Sequence, residues 1–283
     1  MPEARRYVEV DVFGREPLAG NPVAVVVDAE GLDDGVMQRF ASWTNLSETT
    51  FLLPPTEEAR AQGADYRVRI FTPGGELPFA GHPTLGTAHA WLEAGGEPAR
   101  EGVVVQECGI GLVELRRDEH GLAFSAPELL RSGPVDEATL GEASVALGID
   151  RDAIVTSQWV DNGPGWFAVE LPSVEALLAV RPNLAGFGEH GIGAFAFYGE
   201  GDERLIEVRA FIPQIGVPED PVTGSLNAGL ARWLIESGRV PGTYLAGQGH
   251  ALGRDGLVRV TVDGDQIWVG GQAQTLVSGA LVL

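Results

Sequence analysis

Two segments of this chain, one in each half, share a pattern. Residues 66–73, which read YRVRIFTP, lie 140 positions before residues 206–213, which read IEVRAFIP. The similarity continues in two shorter matches, the second after a two-residue shift: Leu77-Pro78 with Val217-Pro218, and Trp91-Leu92 with Trp233-Leu234. Such a match between two short strand patterns can arise by chance or by duplication of an ancestral segment. The shared Arg-x-Phe-x-Pro and the helical stretch that follows it favour a duplication into two related lobes.

The local patterns indicate an α+β class rather than a doubly wound sheet. Short runs rich in Val, Ile and Phe are separated by many of the 39 glycines and 18 prolines, and they alternate with few helical stretches. The expected helices are 33–43, 83–94, 136–147, 173–179 and 223–237. We expect an N-terminal lobe over residues 1–120, with the last ten or so residues as a candidate addition to it, and a C-terminal lobe over 121–283.

The amino-acid composition disfavours or excludes several classes of function. The net charge of −21 disfavours binding to nucleic acid or to an anionic membrane surface. The chain has no lysine, which excludes Schiff-base chemistry and a phosphate-loop lysine. Its single cysteine, Cys108, excludes an internal disulfide or a pair of thiol bases. No apolar leader pattern is visible, so we expect a soluble, cytoplasmic protein.

The two helices that follow the repeated strands have unusual compositions. The helix predicted at 83–94 is small or apolar nearly all round, and the one at 223–237 is similar, so both are expected to be buried. The first turn of a helix carries unpaired N–H groups and a partial positive charge. If the lobes face each other, the two helix starts converge on one cleft that favours a carboxylate or a phosphate.

Glu48 lies in a polar segment, Asn45 to Thr50, that leads into an apolar strand. A glutamate against an apolar wall has a raised pKa and can carry a proton near neutral pH. On this segment alone, a surface carboxylate or a capping group is the more common explanation for such a residue.

His82 stands at the start of the first helix, where it can donate a hydrogen bond, pass a proton or simply cap the helix. Asp220 precedes the second helix and is either a functional acid or a plain N-cap. Next to it, Thr223, Gly224 and Ser225 offer N–H and hydroxyl donors to a substrate. No histidine or carboxylate spacing is typical of a metal site, so we predict no metal.

In order along the chain, these clusters resemble the PhzF-like phenazine-biosynthesis proteins, which have the diaminopimelate-epimerase-like fold. The resemblance extends over nearly the whole sequence. It is carried by these stretches: Asp11-Val12-Phe13, Gly20-Asn21-Pro22, Asn45 to Phe51, Phe71-Thr72-Pro73, Glu76 to Gly86, Glu219-Asp220-Pro221, Thr223-Gly224-Ser225, Gln248-Gly249 and Gly253-Arg254.

The resemblance implies two lobes of similar topology, each a β-barrel-like sheet around a central helix, with the active site in the cleft between them. It places the catalytic residues on Glu48, His82 and Asp220. It also places an anion-binding cradle on Gly81, Gly224 and Ser225. The implied activity is an acid–base isomerisation of the dihydro-hydroxyanthranilate type, which moves a proton within a small carboxylate substrate. No cofactor or metal is implied, and the implied assembly is a homodimer.

Relatives that racemise amino acids use one cysteine at each helix start. The corresponding positions here look like Ala80 and Val222, so two-thiol chemistry is excluded. Two alternatives to the isomerase stay open. One is an epimerase that uses Glu48 and Asp220 as opposed carboxylate bases, and the other is a non-catalytic relative that binds a small acid or a protein.

Overall fold

The computed structural model describes residues 4–283 and shows a mixed α/β protein with many strands and few helices. The first strands are β1 (Ala4–Val12), β2 (Asn21–Val26), β3 (Thr49–Leu53), β4 (Tyr66–Thr72), β5 (Gly75–Leu77), β6 (Val103–Cys108), β7 (Gly111–Asp118), β8 (Gly121–Ser125) and β9 (Arg131–Gly133). The later strands are β10 (Thr156–Asp161), β11 (Trp166–Glu170), β12 (Gly191–Phe197), β13 (Ile206–Ile212), β14 (Val217–Asp220), β15 (Tyr244–Gln248), β16 (Gly256–Asp263), β17 (Gln266–Gly271) and β18 (Ala273–Val282). The helices are α1 (Asp34–Thr44), α2 (Glu57–Ala61), α3 (Gly81–Glu93), α4 (Glu137–Leu147), α5 (Val174–Ala179) and α6 (Gly224–Glu236). None of the helices within residues 4–283 is long and apolar enough to cross a membrane.

The chain forms two compact units, one composed of Met1–Ser125 with Gly270–Leu283 and the other of Ala126–Val269. In the first unit, β18, β1 and β2 pair antiparallel, β2 with β3 parallel, β3 with β4 antiparallel, β4 with β6 parallel, and β6, β7 and β8 antiparallel. In the second, β9, β10 and β11 pair antiparallel, β11 with β12 parallel, β12 with β13 antiparallel, β13 with β15 parallel, and β15 with β16 antiparallel. The first six pairs of the first unit therefore follow the same order of antiparallel and parallel pairing as the six pairs of the second.

Each unit buries one helix. The first eight residues of α3, Gly81 to Ala88, are all buried, and the helix contacts β1, β2, β3, β4, β6, β8 and β18. In the second unit, α6 is buried from Gly224 to Leu234 and contacts β10, β11 and β16. Small residues permit this close packing: a Cβ on Gly86 would lie 2.3 Å from Val23, and one on Gly229 would lie 2.3 Å from the Val160 carbonyl oxygen.

The five predicted helices correspond to α1, α3, α4, α5 and α6, with one correction that affects the site. The helix α3 begins at Gly81 rather than at Pro83, so Pro83 lies within the first turn, where its missing N–H has no intrahelical acceptor. His82 is thus the second residue of the helix. The short helix α2 and the strands β5, β8, β9, β14, β15 and β18 were not predicted.

Candidate active site

In the first unit, the candidate site begins at the turn between α1 and β3. Asn45 ends α1 in the left-handed conformation, with φ of 57°, and its N–H donates to the Ala41 carbonyl. The chain then reaches Glu48, directly before β3, where only 7% of the residue is exposed. The alternative of a surface carboxylate is therefore wrong, because Glu48 is buried.

His82 lies beside Glu48 within the same unit. Its Nε2 atom is 3.4 Å from Glu48 Oε2, and its Nδ1 atom is 3.2 Å from Asn21 Nδ2. Among the described residues Nε2 makes no hydrogen bond, so its approach to Glu48 Oε2 is a close contact of two buried polar atoms. His82 does not cap the helix, since the N-cap of α3 is Ala80.

Burial keeps the imidazole neutral. Loss of solvent lowers the pKa of His82 from 6.5 to about 3, and a contact with the Pro22 backbone opposes this shift to a smaller extent. A neutral imidazole carries a single ring proton, and the Pro22 backbone carbonyl is an acceptor for it. His82 therefore lies beside the carboxylate of Glu48 without forming a permanent ion pair with it.

The depressed pKa of His82 predicts a loss of stability in mild acid. Because the unfolded chain binds a proton near pH 6.5 and the folded chain near pH 3, the stabilisation is complete above 6.5 and declines as the pH falls toward 3. The slope for one proton is about 1.4 kcal/mol per pH unit. Urea unfolding of the wild type and of His82→Asn at pH 7 and pH 5.5 should show the smaller pH effect in the variant. Equal pH effects would contradict the burial argument.

In the second unit, Asp220 ends β14 four residues before the start of α6 and is 8% exposed. The Thr223 hydroxyl donates to Asp220 Oδ2 at 2.6 Å. The N-cap residue of α6 is Thr223, so the plain N-cap alternative for Asp220 is wrong. Asp220 is instead a buried carboxylate with one oxygen fixed by a neighbouring hydroxyl.

Thr223 differs from expectation in one respect. It was predicted to offer donors to a substrate, but its N–H donates to Gln248 Oε1 at 3.0 Å and its hydroxyl donates to Asp220. Both donors are thus engaged within the second unit. The amide groups of Gly224 and Ser225 lie in the first turn of α6, where the helix itself supplies no acceptor.

Ser225 is positioned by two residues that sequence reasoning did not identify. Trp166 Nε1 donates to the Ser225 hydroxyl at 3.0 Å, and Asn162 Nδ2 donates to the Ser225 carbonyl at 2.9 Å. Asn162 directly follows β10 and Trp166 begins β11, about 60 residues earlier in the chain. No motif in one sequence links residues so far apart.

The helix starts also correct the alignment of the two repeats. Gly81 opens α3 after Ala80, and Gly224 opens α6 after Thr223. The counterpart of Ala80 is therefore Thr223, and not Val222 as the sequence spacing indicated. Neither position holds a cysteine, so the exclusion of two-thiol chemistry is unchanged. Across residues 4–283, no three His, Cys, Asp or Glu side chains come together in a group that suits a metal ion.

The chain matches a known protein family and is similar to known proteins in both sequence and structure. The family model described as phenazine biosynthesis-like protein, PhzC-PhzF, matches residues 10–280. The chain is 37% identical to a trans-2,3-dihydro-3-hydroxyanthranilate isomerase of Pseudomonas fluorescens, over 98% of this chain and 99% of the relative. It is 36% identical to antisense-enhancing sequence 1 of Schizosaccharomyces pombe, over 96% and 97%. A crystal structure of a PhzF-family protein from Enterococcus faecalis superposes with a TM-score of 0.79 at 27% identity, covering 99% of this chain and 100% of that one.

Proposed function

The chain belongs to the phenazine biosynthesis-like family PhzC-PhzF, and on that premise we propose that it is an isomerase that moves a proton within a small carboxylate substrate without a cofactor. The observation that carries the proposal is the buried Glu48 carboxylate with the Nε2 atom of His82 3.4 Å away. A carboxylate that is shielded from water and lies beside a neutral imidazole is suited to removing and returning a proton.

In the proposed reaction, Glu48 takes a proton from one carbon of the substrate and returns it to another. His82, whose Nε2 atom lies 3.4 Å from Glu48 Oε2, is proposed to hold the amino or hydroxyl group of the substrate together with Asp220 and to assist the second proton transfer. Because the pKa of His82 is lowered to about 3, the imidazole is neutral at pH 7 and does not form a salt bridge with Glu48. The same proton can therefore be carried between carbons at neutral pH.

Asp220 is proposed to hold the amino or hydroxyl group of the substrate and to assist the second proton transfer. The N–H groups of Gly81, Gly224 and Ser225 are proposed to bind the substrate carboxylate and the negative charge that develops during transfer. We assign the residues of both units to one reaction because each set lies at the start of a buried helix at equivalent points of the repeat. On this proposal, each unit is a barrel-like sheet around its helix, and each helix start contributes groups that bind the substrate.

An epimerase is the second candidate, since Glu48 and Asp220 are both buried carboxylates and can act as opposed bases. The third candidate is a non-catalytic protein that only binds a small acid or a protein partner. The relative from Schizosaccharomyces pombe has a name that mentions no isomerase activity, which is compatible with this third candidate.

Incorporation of solvent deuterium, followed by NMR, separates the three candidates. The protein is incubated in heavy water with trans-2,3-dihydro-3-hydroxyanthranilate and with a panel of small amino and cyclic acids. An isomerase introduces label at one carbon and moves a double bond, whereas an epimerase introduces label and inverts a stereocentre. Binding of a panel compound with no label in any of them would contradict the isomerase and favour the binding protein.

We also propose a homodimer, supported by an exposed apolar surface on the first unit. Trp43 of α1 is 81% exposed and Val282 of β18 is 65% exposed, with Leu281 and Leu283 lining the same groove. A second copy is the proposed cover for this surface, because exposed apolar patches of this kind commonly mark protein interfaces. Sedimentation velocity at micromolar concentration should give a dimer for the wild type and a monomer for Trp43→Ser. A monomeric wild type would contradict the proposal.

A further inference from the structure

Gln248, at the end of β15, is fully buried and joins the two ends of the turn that carries Asp220. Its Nε2 atom donates to the Asp220 carbonyl and to the Thr223 hydroxyl, both at 3.0 Å. Its Oε1 atom accepts from the Thr223 N–H at 3.0 Å and from Asn227 Nδ2 at 2.9 Å. A primary amide has two donor hydrogens and two acceptor lone pairs, so all four are used. We propose that Gln248 is a positioning residue that sets the direction of the Thr223 hydroxyl and thereby the orientation of the Asp220 carboxylate.

The orientation of this amide follows from its neighbours. The Thr223 N–H is an obligatory donor and the Asp220 carbonyl is an obligatory acceptor. A flipped amide would place its N–H₂ against the Thr223 N–H and its oxygen against the Asp220 carbonyl. Only one orientation satisfies both groups, and Asn227, itself anchored to the Thr223 carbonyl at 2.9 Å, is consistent with it.

The fixed amide has a consequence for the hydroxyl of Thr223. Because Gln248 Nε2 already donates to Thr223 Oγ1, the single hydroxyl proton must point to another acceptor. That acceptor is Asp220 Oδ2, 2.6 Å away, a short distance typical of a hydrogen bond to a charged oxygen. The chain of donors from Gln248 through Thr223 thus holds the Asp220 carboxyl group in one orientation.

This inference deepens the proposed function, because orientation of Asp220 matters to the reaction only if Asp220 contacts the substrate. The test is therefore made on the resting protein, without any substrate. Aspartate labelled with ¹³C at Cγ reports the titration midpoint of each carboxyl group by NMR, and the Asp220 signal is assigned by its absence in Asp220→Asn.

The matched control is Gln106, a second fully buried glutamine on β6 in the first unit. Its Nε2 donates to the Thr84 hydroxyl at 3.0 Å and its Oε1 accepts from the Tyr66 hydroxyl at 2.9 Å. Gln248→Met and Gln106→Met both remove buried amide hydrogen bonds with little change in length. A merely structural glutamine would behave like Gln106, with a loss of stability and no effect on Asp220.

We expect the Asp220 midpoint to rise by about one pH unit in Thr223→Val, which removes the hydroxyl directly. It should rise by at least about half as much in Gln248→Met and stay unchanged in Gln106→Met. An unchanged midpoint in either Thr223→Val or Gln248→Met would overturn the proposal, and Thr223→Val keeps the test decisive if Gln248→Met does not fold.

The same variants separate this inference from the proposed function. If the wild type exchanges label with a panel acid, Gln248→Met should lower kcat about tenfold or more and leave KM within about threefold, because misorientation affects the transfer step more than binding. If the midpoint shifts as expected but no compound is labelled by the wild type, the positioning role stands and the proposed isomerase activity fails.

Discussion

Glu48→Gln should lower the rate of solvent proton exchange by about 10²- to 10⁴-fold, the range expected when a general acid–base group is removed. Glutamine has nearly the shape of glutamate and can occupy the same place beside His82, whose Nε2 atom is 3.4 Å from Glu48 Oε2 in the wild type. It cannot take a proton from carbon. The loss should therefore fall on kcat, while the far-ultraviolet circular dichroism and the binding of a substrate acid stay close to those of the wild type.

The matched control for this experiment is Glu93→Gln in the same unit. Glu93 Oε1 lies 3.3 Å from His89 Nε2, so this pair resembles Glu48 and His82 in chemistry and separation. The Glu93 side chain is 52% exposed, however, and it accepts a hydrogen bond from the Thr275 hydroxyl. Proton exchange by Glu93→Gln should equal that of the wild type within about twofold. Comparable losses in the two variants, or activity of Glu48→Gln within tenfold of the wild type, would remove Glu48 from its assigned role.

The sequence was most informative where a local motif and the repeat coincide. Pro83 and the run of small residues after it predicted α3, and the match of the two halves predicted a second buried helix at α6. The start of α3 was misplaced because Gly81 and His82 have a loop-like composition. β18 was missed because most of its residues are exposed and include Ser and Gly, and it is a strand only through pairing with β1 at the other end of the chain.

In the candidate site, too, local motifs were informative and contacts between distant residues were not predicted. Glu48, His82 and Asp220 were predicted from the motifs that surround them and from the family resemblance. Asn162 and Trp166, which contact Ser225 from 63 and 59 residues away, were not predicted. Gln248 belongs to a stretch that carries the resemblance, but its contact with Thr223, 25 residues away, was not predicted. Packing of strands against the central helix brings these groups together. A single sequence carries no local signal for that packing.

Each copy of the repeat contains an arginine–glutamate pair. The two pairs differ in how deeply they are buried, which the sequence does not reveal. Arg69 binds Glu76 through two hydrogen bonds in the first unit, and Arg209, 140 residues later, binds Glu219 in the same two-bond manner in the second. The first arginine side chain is 17% exposed beside a glutamate that is 42% exposed. In the second pair the exposed fractions are 4% and 10%.

Arg209→Met should therefore destabilise the protein by about 3–5 kcal/mol, because it leaves Glu219 buried without its counter-charge. It also removes the donors to the carbonyl groups of Leu177 and Val180, at 3.1 Å and 2.9 Å, which attach α5 to β13. Arg69→Met should cost less than about 1 kcal/mol, since water can solvate Glu76. The free energy of unfolding in urea measures both effects, and amide exchange should locate the loss in α5 and β13 of the second unit.

The double variant Arg209→Met, Glu219→Leu distinguishes the buried charge from lost packing. If the unpaired carboxylate causes most of the destabilisation, replacing it by an apolar side chain should recover well over half of the loss, as expected for buried ion pairs that are replaced as a unit. If the double variant is as unstable as Arg209→Met, the carbonyl contacts with α5 are the main contribution of Arg209. Equal losses in Arg69→Met and Arg209→Met would contradict the argument from burial, because the two arginines bind their glutamates in the same two-bond manner and the second pair is the more buried.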